Sequence, residues 1–500
     1  MFNLIQKWNF PSNNYGQIFG IADSGVETFK GTPIKSLARE ICQNSLDAAL
    51  ENGEPTRIEF KTFEIDPHKI PDYSNLEDAL KRALDFWSQQ QSTKAKTFFK
   101  QALDVIHKST ITCLRISDFN TSGLVGSREE YNSPWCNLTK SSGASDKSGS
   151  HGGSFGIGKF APYACSSLRT VFYSTSDKDG LCASQGVSRL TSFKSKKNEI
   201  TQGTGFYGND KNSPMYKQFS LDSAYSRSAE NSGTDIFIAA FNGDKGWQHQ
   251  MVASVLDGFL YAIYNGTLVV DVDGTIISKD SLADLMISHK EYFNEHADEY
   301  YQALTDEKLA RTFTKELTDD PETIGKLTLK LMIMPSFSRR VAMIRQTGMK
   351  IKDKGNINGL IPFAGTLFIE GDAINSYLRS LENPQHLEWE VERAECLYMD
   401  SLCSHHAEIQ YLYLIYTVYN VIILPFHSCK KKRAPFTALF HIDFLIHLSY
   451  STVLQPMSLN FFPKMGQNLV LHQMPSQLLS FDHILLQIPM QIHNSKHLSE

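Results

Sequence analysis

Apolar and polar residues alternate along several stretches of the first half of the chain. A period of two places every second side chain on the same face of a β-strand, so each stretch is predicted to be a strand. These stretches are residues 57–65, 113–117, 168–174, 186–193 and 234–241. The polar, glycine-rich span 194–232 is predicted to be an extended loop.

Apolar residues at helical spacing lie between these strands. The stretch from Pro33 to Ala49 carries one apolar stripe, which is typical of an amphipathic helix. Residues 76–107 show the same spacing and are predicted to be an inserted pair of helices that pack on the core. Together the elements predict an α/β sandwich over residues 1–244, in which helices cover one face of a sheet.

A second, smaller α/β domain is predicted over residues 245–395, because the pattern changes there from helix to hairpin to helix and then to strands. The predicted elements are a helix over 248–264, a hairpin over 267–277 around Asp273-Gly274, a helix over 281–304, and strands over 327–334 and 366–370. A chain of 500 residues exceeds one ordinary core, so two or three domains are expected.

The composition changes after Ala394. Nine of the sixteen histidines lie beyond this residue, but only one of the thirty-one glycines, Gly466, does. A globular domain needs glycine in its turns, so we interpret residues 396–500 as an anomalous tail, translated out of frame from near Cys396. The alternative is a membrane anchor over residues 411–426, although this apolar stretch is shorter than the roughly 20 residues that span a bilayer.

Charge and cysteine content favour a soluble cytoplasmic protein. The net charge is -5 at pH 7, which gives no overall signal for nucleic acid binding. The eight cysteines contain no CxxC pair and no zinc-binding spacing, so reduced thiols are expected. The first residues lack the basic and apolar blocks of a signal peptide, so we do not expect export. Because the apolar stretch 411–426 is short for a bilayer span, we do not expect association with a membrane either.

Glu40, Asn44 and Asp47 form a polar row on the first predicted helix. Their spacing of four and three residues places them on one face. An amide oxygen suits Mg²⁺ as a hard ligand, and a neighbouring carboxylate can orient or deprotonate water. We therefore interpret Asn44 as a candidate metal ligand and Glu40 as a candidate base, with an ordinary solvated helix face as the alternative.

Asp118 follows the strand predicted over residues 113–117 and precedes a turn that contains Asn120 and Gly123. A carboxylate at the end of a strand can accept a hydrogen bond from an exocyclic amine such as that of adenine. The alternative is that Asp118 caps its own turn, as aspartates in loops often do.

Glycines are concentrated in a short segment before Phe160. They are Gly149, Gly152, Gly153, Gly156 and Gly158. Glycine lets backbone N–H groups approach phosphate oxygens closely, a helix that begins after them adds its positive end, and Lys159 can neutralise phosphate charge. The spacing is not that of a Walker-type loop, and a flexible surface turn is the alternative.

These three stretches, in this order, resemble the N-box, G1 box and G2 box of the GHKL ATPase superfamily, which includes gyrase B, large heat-shock chaperones, histidine kinases and mismatch-repair ATPases. The stretch that begins with Gly233 and Thr234 resembles the Gly-Thr element that closes the family's pocket. The segment from Gly20 to Ala49 is also similar to bacterial proteins described only as ATP-binding proteins. In the G1-like turn, Asn120 stands near the family's first glycine, and the run is one residue longer.

The resemblance implies ATP and Mg²⁺ as ligands, with Glu40 as general base, Asn44 as magnesium ligand and Asp118 as the residue that reads adenine. Relatives send a basic or amide side chain from their second domain to the γ-phosphate, and Arg345, after an apolar run typical of a strand, is our candidate; a surface charge is the alternative. The other candidate nucleotide contacts are Asp47, Gly123, Gly152, Gly153, Gly156, Gly158, Lys159 and Thr234.

The predicted function is a magnesium-dependent ATPase with slow turnover that acts as a conformational switch, and the family implies that lid closure accompanies formation of a homodimer. One alternative is a nucleotide-gated interaction module with a DNA-associated or phage-defence role, whose protein or DNA partner the sequence does not name. The other is a protein histidine kinase, although a glutamate at the first N-box position, Glu40, fits the hydrolytic branch better.

Overall fold

The structure is a computed structural model, and it describes residues 6–141, 157–228, 230–319, 322–355, 357, 361–383 and 385–390. All of these residues belong to one compact unit, Met1–Pro425. They form a mixed α/β fold of two sheets and their helices, as predicted. The predicted tail over residues 396–500, including the candidate anchor over 411–426, lies outside the described residues.

The larger sheet has nine strands in the described part of the chain. In chain order they are β1 (Lys7–Asn9), β2 (Thr56–Ile65), β3 (Ile111–Phe119), β4 (Thr170–Ser176), β5 (Cys182–Arg189), β6 (Thr204–Gly208), β7 (Gly233–Ile238), β8 (Leu268–Val272) and β9 (Thr275–Ile277). Their spatial order is β1-β6-β5-β4-β7-β3-β2-β8-β9. β8 pairs in parallel with β2, so this sheet also contains residues beyond 244, and the domain boundary expected there stays a prediction.

The smaller sheet lies entirely in the second half of the chain. Its strands are β10 (Arg311–Asp319), β11 (Glu322–Ile333), β12 (Arg340–Ile344), β13 (Lys350–Lys354) and β14 (Phe363–Glu370). They are ordered β10-β11-β14-β12-β13, with β12 parallel to β14 and the other pairs antiparallel. Arg345 therefore follows the end of a strand, as predicted.

The α-helices of the described residues are α1 (Ser24–Phe29), α2 (Pro33–Asp47), α3 (Tyr73–Gln89), α4 (Thr93–Ile106), α5 (Pro134–Thr139), α6 (Ala161–Ala164), α7 (Trp247–Tyr264), α8 (Leu282–Ser288), α9 (Ala297–Thr305) and α10 (Asp372–Ser380). The prediction of one helix over 281–304 was wrong. His296 has a φ of 59°, and the N–H of Asn294 donates to Asp257 Oδ2 at 3.1 Å, which takes the backbone between α8 and α9 out of helical geometry.

Helices cover both faces of the larger sheet. Phe172 of β4 packs in a core with Leu80 of α3 and Phe99 of α4. The next residue, Tyr173, points to the opposite face, where its hydroxyl donates to the Tyr163 hydroxyl of α6 at 3.1 Å. The expectation that helices cover one face was wrong, because the inserted pair α3 and α4 packs on the other.

The span 194–232 is also more ordered than an extended loop, since it contains β6, which pairs with β5 and β1. Glycine near each end of β6 favours a turn when the sequence is considered alone. In the structure Gly205 is required by packing, because a methyl group there would lie 2.3 Å from Phe10 Cε1.

Candidate functional site

Helix α2 carries the polar row that the sequence predicted. The helix has Pro33 in its first turn, where the missing N–H costs no hydrogen bond, and it ends at Asp47. Its apolar side chains, such as Leu37, are buried against the body of the fold. Glu40 is 5% exposed and the Asp47 side chain is 2% exposed, whereas Asn44 is exposed, so only the middle residue of the row lies at the surface.

The carboxylate of Glu40 lies directly against the backbone of Gly158. A methyl group added to Gly158 would stand 1.7 Å from Glu40 Oε2 and 2.5 Å from its carboxyl carbon. This approach joins the N-box-like helix to the end of the glycine-rich stretch. The candidate lid residues Gly152, Gly153 and Gly156 lie outside the described residues.

The electrostatic surroundings of Glu40 suit a base. Burial raises the pKa of this carboxyl above the ordinary value for glutamate, and the neighbouring charges of His386, Arg39 and Arg345 only partly offset the effect. A carboxylate with a raised pKa is a stronger proton acceptor once it is ionised. The carboxylate of Glu40 is therefore suited to taking a proton from water.

Asp47 is bound by two arginines. Its Oδ1 accepts from Arg345 Nη2 at 3.3 Å, and its Oδ2 accepts from Arg379 Nη2 at 2.5 Å. The side chain of Asp47 is only 2% exposed. The structure thus places Asp47 in buried ion pairs that connect α2 to the second half of the chain, and a contact of Asp47 with nucleotide stays a prediction.

Asp118 lies near the end of β3 and is partly buried. Its Oδ1 accepts from the Thr234 N–H at 2.7 Å and the Thr121 hydroxyl at 2.9 Å, and its Oδ2 accepts from the Ser45 hydroxyl at 3.1 Å. Burial raises the pKa of Asp118, although the charge of Arg227 and these hydrogen bonds act to lower it. A carboxylate has about four acceptor positions, so the three bonds leave one for an amine.

The turn after Asp118 explains the departure from the glycine pattern. Asn120 has a φ of 58° and Gly123 a φ of 62°, both in the left-handed region. Asparagine tolerates this conformation better than most residues, so Asn120 can take the left-handed backbone conformation that glycine otherwise provides. At Gly123 a side chain is excluded, because a methyl group would lie 2.6 Å from the Ser176 carbonyl oxygen.

The Gly-Thr element closes the same region from β7. Gly233 has a φ of 151°, and a methyl group there would lie 2.2 Å from the Asp118 carbonyl oxygen. Beside it, Arg227 forms a buried ion pair with Asp235 at 2.7 Å. Nη1 of Arg227 is buried without a hydrogen-bond partner in the described structure, so this cation keeps a free donor close to Asp118.

Lys159 is buried and bound to the protein itself. Its Nζ donates to the carbonyl oxygens of Asn137 and Ser141, both at 2.6 Å. Burial, followed by the charge of Arg189, lowers the pKa of Lys159 to about 8. The predicted neutralisation of phosphate by Lys159 stays a prediction, and the ammonium would still have one N–H for it.

Arg345 comes to α2 from the end of β12. Besides Asp47, its Nη1 donates to Glu382 at 3.3 Å and its Nε donates to the Thr347 hydroxyl at 3.1 Å. Its side chain is 5% exposed, so it is a buried residue and not a surface charge. The structure thus brings the candidate phosphate contact to the same helix as Glu40.

Sequence reasoning did not identify four residues of this cluster. They are Arg39, Arg379, Glu382 and His386. The guanidinium of Arg39, next to Glu40 in α2, donates to the carbonyl oxygens of His386 and Lys350. These partners are more than 300 positions away from α2 in sequence, so no local pattern could have paired them.

Two features of the described residues concern metal binding and membrane association. No three side chains among His, Cys, Asp and Glu are grouped so that they could hold a metal ion on their own. None of the helices described here combines the length and the apolar composition required to cross a bilayer.

No protein-family model and no curated protein matches the sequence. Among solved structures, the chain is similar to the 43K ATPase domain of Thermus thermophilus gyrase B in complex with an aminocoumarin. The identity is 11% and the TM-score is 0.29, over 69% of this chain and 81% of that chain.

Proposed function

We propose that this protein binds ATP with Mg²⁺, hydrolyses it slowly and uses the cycle as a conformational switch. Four contacts between distant stretches support the proposal: Glu40 with Gly158, Ser45 with Asp118, Asp118 with Thr234, and Asp47 with Arg345. The approach of Glu40 to Gly158 carries the proposal, because it puts a buried base at the end of a glycine-rich segment suited to phosphate.

The adenine would bind at Asp118. Its carboxylate retains one acceptor position after the bonds from Ser45, Thr121 and Thr234, and the exocyclic amine of adenine is a donor that matches it. These three bonds also fix the carboxylate, so little conformational entropy would be lost on binding. Specificity for adenine over guanine follows, since guanine has a carbonyl oxygen at the corresponding ring position.

Asn44 is the residue that would hold Mg²⁺. It is exposed one helical turn from Glu40, and its amide oxygen is a ligand type that Mg²⁺ accepts. Since no group of acidic or histidine side chains in the described residues completes a metal site, phosphate oxygens and water would supply the other ligands. Bound there, Mg²⁺ would neutralise charge on the phosphates.

Hydrolysis would use Glu40 as the base. As the water oxygen bonds to the γ-phosphorus, the Glu40 carboxylate accepts a proton from the water, and the bond from the γ-phosphorus to the β–γ bridging oxygen breaks. ADP and inorganic phosphate are the products. We propose slow turnover because the site would mainly hold the nucleotide in position and offers one base, as in other nucleotide switches.

The region that carries Arg345 would respond to hydrolysis of the bound nucleotide. We propose an ATP-binding domain over residues 1–244 and a transducer-like domain over 245–395, with Arg345 directed at the γ-phosphate. Because Arg345 already contacts Asp47 of α2, loss of the phosphate would change the balance of charges at this junction. Dimerisation on lid closure is part of the proposal only through the family resemblance.

The test is nucleotide binding and turnover by the full chain. We expect saturable, magnesium-dependent binding of ATP in calorimetric titration and release of phosphate, and no saturable binding would overturn the proposal. Glu40→Gln should bind ATP without turnover, while Glu51→Gln, an exposed glutamate beyond α2, should behave as wild type. Phosphate that stays on the protein after incubation with labelled ATP would instead favour a histidine kinase.

A further inference from the structure

Glu382 is a buried carboxylate that the proposed reaction does not use. It lies two residues after α10, and its side chain is 1% exposed. Both of its oxygens accept from Arg345 Nη1, at 3.4 and 3.3 Å, and its Oε2 also contacts His386 Nδ1 at 2.5 Å. Although burial opposes ionisation, the charges of Arg345 and His386 hold the pKa of Glu382 below its ordinary value.

The backbone around Glu382 is closed into a compact turn. Glu382 and Trp389 form an antiparallel bridge, and the Glu390 N–H donates to the Leu381 carbonyl at 2.7 Å. The Asn383 N–H donates to the Glu388 carbonyl at 2.9 Å. The carboxylate of Glu382 is thus presented from a fixed position, which is a requirement for holding another side chain in place.

The hydrogen bonds of Arg345 leave capacity for a further ligand. A guanidinium has five N–H donors, and the described partners of Arg345 are Thr347, Glu382 and Asp47. These partners can be satisfied by one donor each, so two N–H groups remain available. Arg345 can therefore be held by protein carboxylates and still present donors to a phosphate.

We propose that Glu382 is the positioning residue of Arg345: it holds the guanidinium beside Glu40 and Asp47 so that its remaining donors meet the γ-phosphate. This inference rests on the proposed function. It makes the short segment after α10 a necessary part of the site, because Asp47 alone would be shared between Arg345 and Arg379.

Recognition of the γ-phosphate distinguishes the positioning of Arg345 by Glu382 from a purely structural role of Glu382. ATP and ADP differ in that phosphate, so a misplaced Arg345 should weaken binding of ATP and spare binding of ADP. We expect Glu382→Gln to weaken ATP binding about tenfold or more while ADP binding stays within about twofold. Glu388→Gln is the matched control, since Glu388 is in the same segment but pairs with Lys352 at the surface.

A double-mutant cycle tests whether Glu382 acts through Arg345. If it does, the variant with both Arg345→Gln and Glu382→Gln should bind ATP no more weakly than Arg345→Gln alone. Multiplied losses, or equal losses of ATP and ADP binding, would overturn the inference. Failure of the wild type to bind ATP would instead remove the proposed function, so the two failures are distinguishable.

A second variant, Glu382→Asp, tests the inference even if Glu382→Gln does not fold. Glu382→Asp keeps the charge of the cluster but withdraws the carboxylate from Arg345 by about one carbon–carbon bond, roughly 1.5 Å. We expect its ATP affinity to lie between those of wild type and Glu382→Gln, with ADP binding and melting temperature near wild type. Wild-type ATP affinity in a folded Glu382→Asp protein would overturn the inference.

Discussion

Glu40 and Gly158 approach so closely that only glycine is compatible with the position of the carboxylate: a methyl group at residue 158 would lie 1.7 Å from Oε2. This distance is far inside van der Waals contact, so either the helix or the carboxylate must move when the methyl group is added.

Gly158→Ala should greatly reduce ATP hydrolysis. The methyl group would displace the Glu40 carboxylate, and a misplacement of about 1 Å in a catalytic group can cost about 100-fold in rate. Phosphate release under saturating ATP measures the effect. Gly31→Ala is the control, because no atom lies within 4 Å of a methyl group there and the residue does not need a positive φ. Equal turnover in the two variants would show that Glu40 is not the base.

Glu40→Gln should remove hydrolysis and with it the acid limb of the pH profile. General base catalysis is worth about 10² to 10⁴ in rate, and the amide cannot accept the proton. In the wild type, burial raises the pKa of Glu40, so turnover should fall as pH drops through a value above the ordinary range for glutamate. A wild-type rate that is flat down to the ordinary glutamate pKa would contradict the assignment.

The same substitution should stabilise the fold at neutral pH. Because the pKa of Glu40 is raised in the folded state, the folded protein binds this proton more tightly than the unfolded chain does. The ionised carboxylate therefore destabilises the fold above both pKa values, and this penalty shrinks as pH falls from the folded-state pKa to the lower pKa of the unfolded chain. Glu40→Gln should melt at a higher temperature than wild type at pH 7 to 8, and the difference should shrink at acid pH.

Local sequence patterns predicted the residues of α2, β3 and the Gly-Thr element, because the conformation of each of these stretches follows from its own residues. Asn120 is an example, since asparagine is the non-glycine residue that most readily takes a positive φ. The partners of Asp47 and Arg345 were not predictable in this way. Glu382 and His386 lie in an acidic stretch with no local pattern that predicts burial, and only tertiary packing shows that they are buried.

Asp118→Asn should abolish ATP binding. The amide would place an N–H₂ group where the carboxylate now accepts from Thr234, Thr121 and Ser45, so at least one of these donors would lose its acceptor. An unsatisfied buried donor costs about 1 to 3 kcal/mol, so melting temperature must be measured beside binding. Asp179→Asn, at an exposed turn after β4, is the control. A folded Asp118→Asn protein with wild-type ATP affinity would contradict the predicted adenine contact.

Lys159 should make the stability of the fold depend on pH in the alkaline range. Burial lowers the pKa of Lys159 to about 8, whereas the unfolded chain keeps the ordinary value of 10.5. Between these values the unfolded state holds more protons than the folded state, so this group adds stability as pH rises. The full gain in stability is present above the pKa of the unfolded chain, and it is lost as pH falls through the folded-state pKa of about 8.

Lys159→Met should therefore remove a gain that the wild type shows between pH 8 and 10. The slope due to one group cannot exceed about 1.4 kcal/mol per pH unit, and urea unfolding at several pH values resolves a difference of that size. Lys178→Met, in the exposed turn after β4, should follow the wild-type curve. If Lys159→Met and wild type respond to alkaline pH in parallel, the ammonium of Lys159 is not buried as its bonds to Asn137 and Ser141 require.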